Sequence, residues 1–304
     1  MRQGKRVFGA LQSLKIDPMM KRSIPLPRTV LELGSRTLVM GVINTTPDSF
    51  SDGGTHYDRE VATQGALEML RADADIIDVG GESTRPGSLF VEPEEEIRRA
   101  IPVIRGIHQA VPDAVISVDT RRRTVAEAAI AEGAQIVNDV SGFRDDPELI
   151  DLAREAGVGV VIMHMLWTPR TMQQTIHYEA FPQDIYDFLE QRVRVLEDAG
   201  VSSERIVIDP GIGFGKTFDQ NLFLINRLSF LKPLQKPILV GSSRKAFLGK
   251  ILNEPVAVNR GTAALATVAA AILRGADIVR VHDVAPTIQV CKVTDAILRE
   301  RVSE

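Results

Sequence analysis

Asp209 closes a short apolar run, Ile206-Val-Ile208, and leads into a loop that carries Gly211, Gly213 and Gly215 before Lys216. A carboxylate at a buried strand end is a strong acceptor, and glycines behind it let backbone N–H groups approach a ligand closely. Neither common phosphate motif fits. A Walker A loop needs Gly six residues before its Lys, where Pro210 stands, and a dinucleotide fingerprint needs Gly where Lys216 stands. Other apolar runs are punctuated in the same way, by Asn44, Glu82, Asp119, Asn138 and Asp139, His164, Ser242 and Ser243, and His282.

Those residues need elements to position them. The runs are Leu38 to Ile43, Ile76 to Val79, Val115 to Val118, Gln135 to Val137, Gly159 to Met163, Ile206 to Ile208, Ile238 to Val240 and Ile278 to Val281. Between them lie helix signatures: Pro93-Glu-Glu-Glu-Ile-Arg-Arg has Pro and acids in its first turn, and Thr124-Val-Ala-Glu-Ala-Ala-Ile-Ala-Glu-Gly133 is closed by Gly. About eight β-then-α units match a (β/α)8 TIM barrel, with an open doubly wound sheet as the other architecture. The polar strand ends favour the barrel, because closure brings them together at one mouth, where barrel enzymes carry their chemistry.

Residues 1–28 read as a basic arm, since Arg2, Lys5, Arg6, Lys15, Lys21, Arg22 and Arg28 outnumber Asp17, and Pro18, Pro25 and Pro27 interrupt any long helix. Thr29–Leu33 and Arg36–Met40 flank Gly34-Ser35, the spacing of a hairpin that plugs one barrel end. Residues 29–304 then form a single barrel domain.

Across 304 residues with 44% hydrophobic content and a net charge of −4, no basic face implies nucleic acid or an anionic membrane as a partner. No apolar run reaches the roughly 18 residues of a membrane span. A single cysteine, Cys291, has no partner for an intrachain disulfide and reads as a core residue. A cytoplasmic enzyme is expected.

The chain has no Gly-x-Ser-x-Gly elbow, no His-Glu-x-x-His and no Cys-x-x-Cys. His56, His108 and His177 fall in presumptive loops or helices and read as surface or packing residues. A soft-metal site is disfavoured, whereas an oxygen-ligated Mg²⁺ needs few protein ligands.

Seven motifs together resemble the dihydropteroate synthase family: Asn44-Thr-Thr-Pro-Asp-Ser-Phe-Ser-Asp-Gly-Gly54, Gly80-Gly-Glu-Ser-Thr-Arg-Pro-Gly87, Asn138-Asp-Val-Ser-Gly142, Met163-His-Met165, Asp209-Pro-Gly-Ile-Gly-Phe-Gly-Lys216, Gly241-Ser-Ser-Arg-Lys245 and Arg280-Val-His-Asp283. The resemblance implies a (β/α)8 barrel that joins 6-hydroxymethyl-7,8-dihydropterin diphosphate to 4-aminobenzoate with release of pyrophosphate, and that sulfonamides inhibit. By the same resemblance, the pterin is held by Asp119, Asn138, Met163, Asp209, Phe214, Gly241 and Lys245. Pyrophosphate is held by Asn44, Thr84, Arg85, Arg280, Val281 and His282, with Asn44 the protein ligand to Mg²⁺. Aminobenzoate lies among Phe50, Pro86, Phe214, Ser243 and Lys245, and Asp119, Lys245 and Asn44 are the catalytic set.

Physical chemistry accommodates these roles, because a pterin edge offers N–H donors to carboxylate acceptors and a diphosphate needs cations rather than a nucleophile. The chain departs from the family's usual Gln-Gly after Met165, with Leu166-Trp167 in that place. Two other readings are a pterin-binding methyltransferase barrel, which would need no aminobenzoate pocket, and a non-catalytic pterin-binding relative. The small residues of Ala263-Ala-Leu-Ala-Thr-Val-Ala-Ala-Ala-Ile272, on an outer helix, fit the homodimer that the resemblance implies.

Overall fold

In the computed structural model, which describes residues 22–45, 55–84, 87, 88 and 90–301, eight parallel strands form a barrel. They are Leu38–Asn44 (β3), Ile76–Gly80 (β4), Ile116–Asp119 (β5), Ile136–Asp139 (β6), Gly159–Met163 (β7), Ile206–Asp209 (β8), Leu239–Val240 (β9) and Ile278–Val281 (β10). Neighbours pair in sequence from β3 to β8, β10 pairs with both β3 and β9, and a parallel bridge between Ile208 and Ile238 closes the ring. The open doubly wound alternative is thereby excluded.

Around the barrel run Thr55–Arg71 (α1), Pro93–Ala110 (α2), Arg123–Ala131 (α3), Glu148–Ala156 (α4), Gln183–Asp198 (α5), Phe218–Asn226 (α6), Ala246–Leu252 (α7), Gly261–Leu273 (α8) and Val284–Arg299 (α9). Local chemistry sets several of their starts. Pro93 and three glutamates open α2, and Thr217 with Gln220 forms a reciprocal capping box on α6. No single helix among the described residues is long and apolar enough to cross a membrane.

The strands alternate strictly between two environments. Val39, Ile77, Val79, Ile116, Val118, Val137, Val160, Ile208, Val240 and Val279 pack outward against the helices. Leu38, Met40, Ile76, Val115, Ile136, Val161, Val207, Leu239 and Ile278 share a second cluster inside the barrel. The period of two therefore places Asp78, Ser117, Asn138, Met163, Asp209, Gly241 and Arg280, each two residues beyond a member of that inner cluster, on the lumen side above an apolar floor.

An antiparallel hairpin covers the floor, but not the one expected. Val30–Leu33 (β2) pairs with Arg22–Pro25 (β1) across a turn at residues 26–29, while Leu38–Asn44 serves as a barrel strand. Gly34-Ser35 is a connection and not a hairpin turn. The inward set explains the choice: Ile24, Leu26, Leu31 and Leu33 all join the floor cluster, and pairing β2 with residues 36–40 would leave the β1 side chains without a place. The expected arm thus yields residues 22–28 to the hairpin, and residues 1–21 lie outside the described part. Cys291 is buried, as expected.

The hairpin is a stopper whose stability comes from apolar burial. Leu33→Ala removes a side chain only 1% exposed, and the expected loss is about 3 kcal/mol. Urea denaturation should show it as a lower midpoint with an unchanged slope.

Candidate active site

At the lumen's polar layer the charges are arranged around one guanidinium. Arg280, on β10, donates from Nε to Asp78 Oδ2 at 2.6 Å and from Nη2 to Asp119 Oδ2 at 2.7 Å. Asp78 is wholly buried, and the same Oδ2 accepts Asn138 Nδ2 at 3.0 Å. Burial pushes the Asp119 carboxyl up to about 7; Arg280 opposes the rise and Asp78 adds to it. Burial likewise raises Asp209 to about 6, against the pull of the Gly211 N–H, which it accepts at 2.7 Å, and of Lys245.

A cleft of about 590 Å³ opens at this C-terminal mouth. Of the expected site residues, Asn44, Thr84, Asp119, Phe214, Gly241, Ser243, Lys245, Arg280 and His282 line it. Asn138, Met163 and Asp209 lie at neighbouring strand ends and are nearly buried; Asn138 pairs in register with Asp119, and Asp209 with Met163. Lys245 Nζ stands 4.1 Å above the centre of the Phe214 ring. His282 Nδ1 and Ser243 Oγ are 3.0 Å apart. The alternation turns the Val281 side chain outward into the helix-facing core, so its backbone is the part available to a ligand at the mouth. Phe50, Arg85 and Pro86 lie outside the described residues.

Sequence reasoning missed Asp78, Met172, Gln173 and Arg260. Asp78 was legible from the period of two, since it follows Ile76 by two residues. Met172 and Gln173 reach the cleft from the irregular segment after β7, which has no periodicity to read. The departure at Leu166-Trp167 lies in the same segment: Trp167 has a left-handed backbone, is exposed, and donates Nε1–H to Thr175 O at 3.2 Å. Of the histidines set aside, His177 is exposed beside Glu179.

Comparison with known proteins agrees with this geometry. A family model described as pterin binding enzyme matches residues 40–282. The chain belongs to the pterin-binding enzyme family. The dihydropteroate synthase of Synechocystis sp. is 45% identical over 276 residues, covering 91% of this chain and 95% of the relative. Among solved structures, dihydropteroate synthase of Xanthomonas albilineans with 4-aminobenzoic acid superposes with a TM-score of 0.85 at 39% identity, covering 91% of this chain and 98% of that one. The Yersinia pestis dihydropteroate synthase in a sulfonamide drug complex also gives a TM-score of 0.85, at 38% identity, covering 90% and 98%.

This pterin-binding enzyme holds its glycine loop with a buried cation. Lys216 Nζ lies 3.0 Å from both Phe214 O and His164 Nδ1 and 3.3 Å from His164 O. Burial lowers Lys216 to about 7 and depresses His164 well below its ordinary value, with Lys216 reinforcing the latter. His164 is therefore a neutral imidazole beside the Lys216 amine. Gly211 has φ 71°, and a Cβ there would meet His164 O at 1.9 Å, so both conformation and space require glycine.

The loop after β4 is fastened by ion pairs. Glu82 accepts from Arg121 (3.3 Å) and Arg122 (3.2 Å), and also from the Val91 N–H at 3.2 Å, so one carboxylate ties both ends of residues 82–91. Arg122 also pairs with buried Glu96 and lies over the Phe90 ring, and Arg121 reaches Asp145 at 2.5 Å. Three strand-end loops are thereby joined beside Ser83 and Thr84. Glu82→Ala should lower stability by about 2 kcal/mol, because it takes one of two carboxylate partners from each of two largely buried guanidinium groups and frees the Val91 N–H. Hydrogen exchange at Val91 should accelerate by at least the same factor as global opening.

Proposed function

We infer that this chain is a dihydropteroate synthase, condensing 6-hydroxymethyl-7,8-dihydropterin diphosphate with 4-aminobenzoate to give 7,8-dihydropteroate and pyrophosphate. The observation that carries the reading is the layer of buried acceptors, Asp119, Asn138 and Asp209, set beside the cations Lys245 and Arg280. A flat heterocycle with several N–H donors suits such acceptors, and an anion suits the donors that follow β9 and β10. The Synechocystis sp. relative and the Xanthomonas albilineans structure, each matched over 91% of this chain, carry this name.

In this reading Asp209 and Asn138 accept pterin N–H groups, Met163 and Phe214 pack on the ring, and Gly241 lets it approach the backbone. Lys245 donates to the ring's acceptors. Asn44, Thr84, Arg85, Arg280 and His282, with the Val281 backbone, hold the diphosphate. Phe50, Pro86, Phe214, Ser243 and Lys245 enclose aminobenzoate, as they would sulfonamides.

The methylene C–O bond breaks with its electron pair leaving on pyrophosphate, and the cationic pterin carbon that results is stabilised by ionised Asp119. The aromatic amine then adds its lone pair to that carbon and releases a proton to water. Among the described residues no cluster of His, Cys, Asp and Glu is placed to hold a metal alone. Asn44, a hard oxygen donor on the cleft lining, would hold Mg²⁺ beside the diphosphate. When bound it supplies neutralising charge to the departing phosphate oxygens.

A homodimer in the cytoplasm completes the proposal. Val293 and Ile297 on α9, Ile251 and Leu252 on α7, and Val256 and Val258 between α7 and α8 are large apolar side chains left half-exposed or more. Sedimentation velocity should give twice the chain mass at micromolar concentration; a monomer at every concentration excludes the dimer.

The decisive assay supplies both substrates with and without Mg²⁺ and follows dihydropteroate and pyrophosphate, formed one to one. Its pH dependence should carry the mark of Asp119. The carboxyl is raised from an ordinary 3.8 to about 7, and the ionised form is the active one. The ratio kcat/KM should therefore fall as pH drops through about 7, approaching tenfold per unit. Stability responds in the opposite sense: the folded state holds that proton more tightly than the unfolded chain, so this group's contribution is complete below about 4 and lost as pH rises toward 7.

A further inference from the structure

Asp78 is buried completely, lies in the lumen layer, and has no role in the reaction as described above. Both of its hydrogen bonds fall on one atom. Oδ2 accepts Arg280 Nε at 2.6 Å and Asn138 Nδ2 at 3.0 Å, while Oδ1 is buried without a partner among the described residues. A fully buried carboxylate is costly unless it is paired, and here the pairing also fixes two neighbours.

An amide side chain offers two similar faces, one donor and one acceptor, and an apolar surrounding does not choose between them. An ionised carboxylate does choose, because it can only accept. With Nδ2 committed to Asp78, the atom of Asn138 that remains for a ligand is Oδ1, an acceptor. The second neighbour is fixed in the same way. Nε of Arg280 goes to Asp78 and Nη2 to Asp119, so the plane of the guanidinium is set by two carboxylates on different strands, β4 and β5.

We propose that Asp78 is a specificity-determining positioning residue, which holds Asn138 as an acceptor toward the N–H groups of the pterin ring and holds Arg280 in its plane at the floor of the cleft. The proposal deepens the functional reading above and rests on Asn138 contacting the pterin. Asp78→Asn keeps the shape but can present either an oxygen or an amino group, so Asn138 is no longer compelled to face one way and Arg280 loses a charged acceptor.

The test compares Asp78→Asn, Asn138→Ala and the double variant by steady-state kinetics in both substrates, with pterin binding followed by calorimetry. The expected result is a rise of roughly tenfold or more in KM for the pterin substrate in Asp78→Asn, with KM for 4-aminobenzoate within about twofold of wild type. The pterin loss in the double variant should be smaller than the product of the two single losses, since Asp78 acts in part through Asn138.

If Asn138→Ala weakens pterin binding and Asp78→Asn does not, the inference is overturned and the functional reading stands. Losses that multiply in full also overturn it. If Asn138→Ala binds pterin as wild type does, the assignment of Asn138 falls, and the inference with it. Should Asp78→Asn not fold, the wild-type protein decides the matter by NMR. One Asn138 side-chain amide proton is expected to be slow to exchange both with and without pterin, and free exchange in either state overturns the proposal.

Discussion

The structure depends on a guanidinium placed among carboxylates where water is scarce. Removing charges from water is costly, and the cost is recovered only where each charge meets an opposite partner in good geometry. Arg280 meets Asp78 and Asp119 at 2.6 and 2.7 Å, yet two carboxylates share one cation, and Asp119 still rises to about 7. Asp119 is thus held in a state that favours proton uptake. A ligand bringing N–H donors to Asp119 and Asp209, or an anion to Arg280, supplies what the protein alone leaves incomplete. Such tension between stability and readiness is expected where a site must be polar inside a fold that is otherwise apolar.

This arrangement demands rigid surroundings, and the loops provide them through buried cations bonded to backbone oxygens. Lys216 fastens the turn that carries Phe214. Arg260, on the far side of the mouth, donates to Arg244 O at 3.2 Å, Glu254 O at 3.0 Å and Pro255 O at 2.5 Å, bracing the segment that carries Lys245. Each of these cations satisfies several carbonyl groups that the loop's irregular path leaves outside regular ladders. Glycine and buried cation act together, since the first permits the path and the second holds it.

Much of this was legible in the sequence, for a reason that also explains the failures. Barrel strands are short apolar runs closed by polar residues, so Asn44, Asp119, Asn138, Asp209 and His282 stood out by position, whereas Lys245 and Arg280 came only with the family resemblance. Reading only run ends, however, passes over a lumen residue in mid-strand. Asp78 was lost that way. The hairpin failed for a different reason. Gly34-Ser35 satisfies the local rules of a turn, whereas the real pairing of β1 with β2 is decided by which side chains fill the barrel floor, a contact with strands far along the chain. Segments such as the one carrying Met172 and Gln173 have no period at all, and only their tertiary placement brings them to the cleft.

The charges also have a direction that a count conceals. Asp78, Asp119 and Asp209 balance Lys216, Lys245 and Arg280, so these six contribute no net charge when all are ionised. Yet the acceptors lie on β4, β5, β6 and β8, with Lys216 beyond β8, while Arg280 lies on β10 and Lys245 and His282 follow β9 and β10, adjoining Asn44 on β3. The mouth is therefore a fixed dipole with little net attraction for either sign. In the proposed reaction a neutral carbon–oxygen bond separates into a cation on the pterin and additional negative charge on the phosphate. A field of that shape stabilises the separated charges more than the bond they came from. Because its groups are already held by one another before the substrate arrives, little reorganisation is left to oppose the step.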